Sequence, residues 1–118
     1  MRLNAGFKVL KGDYPSNIDP EVLSETLAIN VIGPAIVFRE FVSLLEHSER
    51  PVVVNVTSGL GSISSTNSGA PASYSISKAA LNMLTIKQAK EKPHFICLAM
   101  DPGWVKTGTF TVNLIPPS

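Results

Sequence analysis

Tyr74 and Lys78 stand four residues apart, so on a helix their side chains share a face and can approach each other. A free tyrosine ionises near about pH 10, and both a nearby ammonium and the positive end of a helix favour its phenolate. A tyrosine so placed can act as a general acid near neutral pH; the same spacing also fits an exposed helix pair with no chemistry. Ser58 follows the run Val52–Val56, and strand ends in α/β sheets face the ligand crevice, where a hydroxyl can hold a substrate oxygen. Alone, it reads far more readily as a turn serine bonded to local backbone. Asn30, inside an apolar stretch, alone reads as a buried amide satisfied within a bent helix. The metal-ligand types do not cluster: there is one cysteine, Cys97, which excludes an intrachain disulfide and any multi-cysteine metal site. Cys97 is expected to be buried and inert.

The elements that must position these residues are legible in order. Gly12, Asp13, Pro15, Asn17 and Asp19 form a turn-rich approach to a helix start, with Asp19 as cap, Pro20 at the first helical position and Glu21 at the positive end of the dipole. Val31, Ala35, Phe38, Val42 and Leu45 recur at steps of four and three, which predicts a helix over 20–47 with one buried stripe. Pro34 disturbs its middle, since it has no N–H and its ring crowds the carbonyl of Asn30, leaving that carbonyl without its helical partner. The run 51–56 is β-branched without alternation, the pattern of a parallel strand covered on both faces. The Ser, Gly, Thr and Asn-rich stretch 58–73 predicts a long surface loop. A second helix is expected over 72–90, with Ile76, Ala80, Met83 and Leu84 on its buried face, and a second strand over 94–100 before the turn Asp101-Pro102-Gly103. With a strand remnant near Leu3 and an irregular tail, this is an α/β layer with parallel strands.

Composition bounds the rest. The chain has 118 residues, 44% hydrophobic and 16% charged, with a formal charge of +1, so one domain with a buried core is expected over 1–118. No block of like charge points to a nucleic acid or an anionic membrane. The longest apolar stretch, 31–38, is interrupted at Gly33 and Pro34 and falls short of the roughly 20 residues a membrane helix needs. No apolar stretch follows Arg2, which argues against a secretory signal and for a cytoplasmic protein.

Together, Asn4-Ala5-Gly6, Asn30-Val31-Ile32-Gly33-Pro34, Val53-Val54-Asn55-Val56-Thr57-Ser58, Tyr74-Ser75-Ile76-Ser77-Lys78-Ala79-Ala80 and Pro102-Gly103-Trp104-Val105-Lys106-Thr107 resemble the short-chain dehydrogenases/reductases, in that family's order. The run Ser-Gly-Leu-Gly-Ser with Pro-Gly-Trp-Val-Lys-Thr is similar to the branch of small carbonyl reductases that includes sniffer and the C-signal protein. The resemblance implies an NAD(P)-dependent enzyme interconverting a small-molecule carbonyl and an alcohol by hydride transfer. Tyr74 would exchange the proton, Lys78 would lower its pKa and bind the nicotinamide ribose, and Ser58 would hold the reacting oxygen. Asn30 would hold a relay water through its carbonyl. Asn4, Ala5 and Gly6 would lie beside the adenosine half of the dinucleotide, and Pro102, Gly103, Val105 and Thr107 around the nicotinamide. The two long helices would pair with those of a second subunit, giving a homo-oligomer.

The family's glycine-rich pyrophosphate turn would precede Asn4 and is absent from this sequence. Gly59 and Gly61 lead into a loop, so they offer no helix N-terminus to a phosphate. The expected fold is therefore a partial Rossmann-like, doubly wound parallel sheet, its second half only, with about three strands and two long helices. Two crossover helices on one face leave the other face of the sheet bare, which implies an exposed patch, a partner or a fragment. Two functions follow: an oxidoreductase represented by its catalytic half, or an inactive remnant that uses its helices as an association surface. NAD and NADP are not distinguished.

Overall fold

The computed structural model describes residues 12–102 and the backbone of 113–115. The expected strand remnant near Leu3 lies outside the described residues. After a 3₁₀ turn (Pro15–Asn17) comes one helical rod: α1 (Pro20–Leu27), a π-helical turn (Ala28–Ile32) and α2 (Gly33–Leu45). Asp19 caps it as expected, accepting the Glu21 N–H at 2.9 Å. Pro34 does not break the rod. The mid-helix disturbance takes the form of the π turn, in which the Gly33 N–H reaches the Ala28 carbonyl, five residues back. Because the rod is continuous, Pro20–Leu45 is long and apolar enough to cross a membrane by length and composition. That corrects the expectation that no segment reaches such a length.

β1 (Val52–Val56), α3 (Ala72–Glu91) and β2 (Ile96–Asp101) follow as a βαβ unit, β1 and β2 pairing in parallel with Val53 opposite Cys97 and Asn55 opposite Ala99. The first turn of α3 is held by buried Asp13, whose carboxylate accepts the Ser73 N–H at 2.7 Å and whose carbonyl accepts the Ala72 N–H at 2.8 Å. The sheet is not wholly parallel. A short β3 (Asn113–Ile115), in what was expected to be an irregular tail, pairs antiparallel with the other edge of β2.

The core is small, built on Leu81, Phe95, Cys97, Ala99 and Ala72, with Phe38 of α2 edge-on to Phe95 at 6.3 Å between ring centres. Cys97 is buried as expected, and burial pushes its thiol pKa up, keeping it protonated. Two expectations about faces need correction. Ile76 and Met83 do not face inward; they are 46% and 54% exposed. The buried face of α3 is instead Ser73, Ser77, Leu81, Thr85 and Gln88, because it meets polar partners: the Asn55 amide donates to both Thr85 and Gln88 at 2.9 Å. Nor is β1 covered on both faces. Asn55 points to α3 while Val52, Val54 and Val56 remain 47%, 47% and 50% exposed, with Ile96 of β2 at 49% beside them. From the described residues, these positions, written for two-sided cover, receive it on one side only.

Candidate active site

The site forms where the C-terminal ends of β1 and β2 meet the first turns of α3. The Thr57 N–H bonds to the Met100 carbonyl at 2.8 Å, carrying the pairing of the strands one residue past β1. The chain then enters a 3₁₀ turn (Gly59–Gly61) that Ser58 caps, its Oγ accepting the Leu60 N–H at 3.2 Å. The Gly59 N–H goes to Asp101 Oδ2 at 2.9 Å. Both leading amides of the turn are thus committed to side chains of this protein. Gly61 packs directly on α3, where even a Cβ would stand 2.7 Å from Lys78. That contact sets how closely the Ser58 turn approaches Tyr74.

Tyr74 is half-buried, with the Ser58 side chain near enough to act on its hydroxyl. Lys78 lies over the Tyr74 ring, its Nζ 5.5 Å from the centroid, and donates to the Val56 carbonyl at 3.1 Å. Burial raises the Tyr74 pKa above the ordinary 10.0, the neighbouring Ser58 hydroxyl lowers it and the charge of Asp101 raises it further. The phenol is therefore held in its proton-donating form. The expected lowering by Lys78 is not seen, because the ammonium is engaged with a strand carbonyl over the ring face and its own pKa is lowered by burial. Asn30, in the π turn, is buried and donates through Nδ2 to Ser77 Oγ at 3.0 Å, while Ser77 donates to the Tyr74 carbonyl at 2.7 Å. Its side chain is a satisfied buried amide, and it ties the bent helix to the turn of α3 bearing Tyr74. Pro34 supplies no N–H to the Asn30 carbonyl.

Asn30, Tyr74, Lys78 and Pro102 line a single groove of about 700 Å³ between α2 and β1. Ser58 lies outside that lining and joins the group through Tyr74. Of the other residues expected at a dinucleotide, Asn4, Ala5, Gly6, Gly103, Val105 and Thr107 lie outside the described residues. Those present fit the sugar end of such a cofactor: an ammonium has three donors, of which one is on Val56, and the phenol stands beside it. The described residues do not fit the pyrophosphate end, since the amides of Gly59 and Leu60 are already bonded. Sequence reasoning missed Asp101, Ser77, Asp13 and the packing role of Gly61. The turn Asp101-Pro102-Gly103 marked only a bend, and the partner of Asp101 is a backbone amide 42 residues away.

The family model for short chain dehydrogenase matches residues 1–114. C-signal of Myxococcus xanthus is 32% identical over 93 residues, covering 77% of this chain and 56% of that protein. The solved NADPH-bound carbonyl reductase from chicken fatty liver superposes with a TM-score of 0.73 at 30% identity, over 89% of this chain and 48% of its own. The carbonyl reductase Sniffer of Caenorhabditis elegans gives 0.72 at 26% identity, over 85% and 49%. The chain spans about half the length of these relatives. With a family match over nearly all its residues, the chain belongs to the short-chain dehydrogenase family.

Proposed function

We propose that the chain carries the proton-transfer half of an NAD(P)-dependent oxidoreductase that interconverts a small-molecule carbonyl and its alcohol. The observation that carries this reading is the convergence on Tyr74 of the Ser58 side chain from the β1 turn and Lys78 from α3. The nicotinamide cofactor, when bound, supplies or accepts the hydride. The proton side of the reaction falls to the chain's own groups. The Ser58 hydroxyl donates a hydrogen bond to the carbonyl oxygen and orients it toward the phenol. Tyr74, kept protonated by burial and by Asp101, delivers its proton to that oxygen as negative charge develops there. Lys78, fixed by the Val56 carbonyl, presents its remaining donors to the sugar hydroxyls. Asn30 positions the Tyr74 turn through Ser77, and its backbone carbonyl holds the water through which the phenol is reprotonated.

The name of the chicken relative supports the cofactor class and a carbonyl substrate. We place the protein in the cytoplasm, without nucleic-acid or membrane partners, as a homo-oligomer paired through its two long helices. A second reading, an inactive association module, is favoured by one observation, the exposed apolar sheet face at Val52, Val54, Val56 and Ile96. Grafting the chain onto the nucleotide-binding half of a relative separates the two. NADPH-dependent carbonyl reduction by the graft supports the enzyme; a graft that folds, binds NADPH and reduces no carbonyl contradicts it.

A further inference from the structure

Asp101 ends β2, and its Oδ2 accepts the Gly59 N–H at 2.9 Å, a bond that joins two segments 42 residues apart. That amide begins the turn that Ser58 caps. The approach is close: a Cβ on Gly59 would stand 3.2 Å from the same oxygen. The carboxylate therefore sits at the seam between the two strand ends, on the backbone that carries Ser58 and near enough to Tyr74 for its charge to be felt. A hydrogen bond from an amide to an ionised carboxylate is about twice as strong as a neutral one.

We propose that Asp101 is a positioning residue of this site: anchored on β2, its carboxylate holds the Gly59 amide, and with it Ser58, in place against Tyr74, and sets the charge beside the phenol. The proposal rests on the reading of Tyr74 and Ser58 as the proton-transfer pair. It adds a residue that acts through Gly59 and through space. The charged and titratable groups around Tyr74 are few among the described residues. Lys78 lies over its ring from α3, Asp13 binds the neighbouring Ser73 amide from the segment before α1, and Asp101 faces it from β2. Ser58 and Asn30 contribute no charge. Of the two carboxylates, Asp101 is the one whose charge reaches the phenol.

The test needs neither cofactor nor turnover. The chain has two tyrosines, so in a Tyr14→Phe background tyrosinate absorbance followed against pH reports Tyr74 alone. Asp101→Asn removes the charge but keeps a side-chain carbonyl for the Gly59 N–H. It is expected to lower the Tyr74 titration midpoint while Gly59 amide exchange, measured near neutral pH, stays slow. Asp101→Ala is expected to lower the midpoint and also speed Gly59 exchange. A midpoint that stays or rises in the Asn variant overturns the proposal, as does unchanged Gly59 exchange in a folded Ala variant. Should Asp101→Ala fail to fold, the Asn variant decides alone. A chain that passes these tests while a folded, NADPH-binding graft reduces nothing would overturn the proposed function and leave the role of Asp101 standing.

Discussion

Gly61→Ala probes the contact that seats the Ser58 turn on α3. The added Cβ falls 2.7 Å from both the carbonyl carbon and the Cβ of Lys78, and 2.9 Å from the Ala79 nitrogen. These atoms belong to the body of a helix and cannot swing aside. Ordinary contact begins at 3.4 Å, so turn and helix must part by roughly 0.7 Å. Overpacking of this kind costs about 1–3 kcal/mol. Against it, replacing glycine restricts the unfolded chain and stabilises by about 0.4–1 kcal/mol. The net expectation is a loss of roughly 1–2 kcal/mol. Gly12→Ala is the control, because its Cβ meets nothing within 4 Å; its net effect is expected near zero. Urea unfolding followed by far-UV circular dichroism measures both, at matched protein concentration because association adds to apparent stability. If Gly61→Ala costs no more than Gly12→Ala, the turn is not seated by this contact and the account of how Ser58 reaches Tyr74 fails.

Other expectations follow from the same geometry. Calorimetric titration of the chain with NADH or NADPH is expected to show weak binding or none, because the amides of Gly59 and Leu60 are occupied; low-micromolar affinity would contradict this. The apolar face at Val52, Val54, Val56 and Ile96 is expected to drive aggregation or assembly beyond a dimer, since helix pairing does not cover it. Light scattering that finds a soluble, cooperatively unfolding monomer at micromolar concentration would refute that. Glu46 at the end of α2 bonds Lys92 at 2.5 Å and His94 at 3.2 Å, and Lys92 chiefly holds its pKa below the ordinary 4.5. Its contribution is therefore present above pH 4.5 and lost as pH falls through the lower folded value. The stability difference between the parent chain and Glu46→Gln is expected to shrink along that course, and a difference constant down to strongly acid pH would contradict it.

Local chemistry was the most legible part of this chain. Asp19 and Pro20 marked the helix start, Pro34 marked the disturbance, and the β-branched run 51–56 marked the strand, because each acts on its own backbone within a turn. Tyr74, Lys78 and Asn30 were singled out by type and spacing, and the fold brings them to one groove. What hydropathy could not reveal was the inward face of α3. Ser77, Thr85 and Gln88 are buried because Asn30 and Asn55 come to meet that helix from distant parts of the chain, while Asp13 takes the backbone N–H of Ser73. An apolar-stripe reading therefore chose Ile76 and Met83, which face out. The uniform valines of β1 called for cover on both faces, whereas exposure along the strand depends on what packs there. β3 escaped notice because three residues are too few to show a period. Asp101 escaped because its importance lies in an amide far along the chain.

The central claim is that Tyr74 transfers the proton, and Tyr74→Phe in the grafted enzyme tests it most directly. The substitution removes the hydroxyl and keeps the ring against Lys78, so the fold and NADPH binding are expected to survive. Steady-state reduction of a carbonyl substrate should fall by roughly two to four orders of magnitude, the usual contribution of a positioned acid. A variant that keeps more than about a tenth of the parent rate would place the proton donor elsewhere and contradict the account.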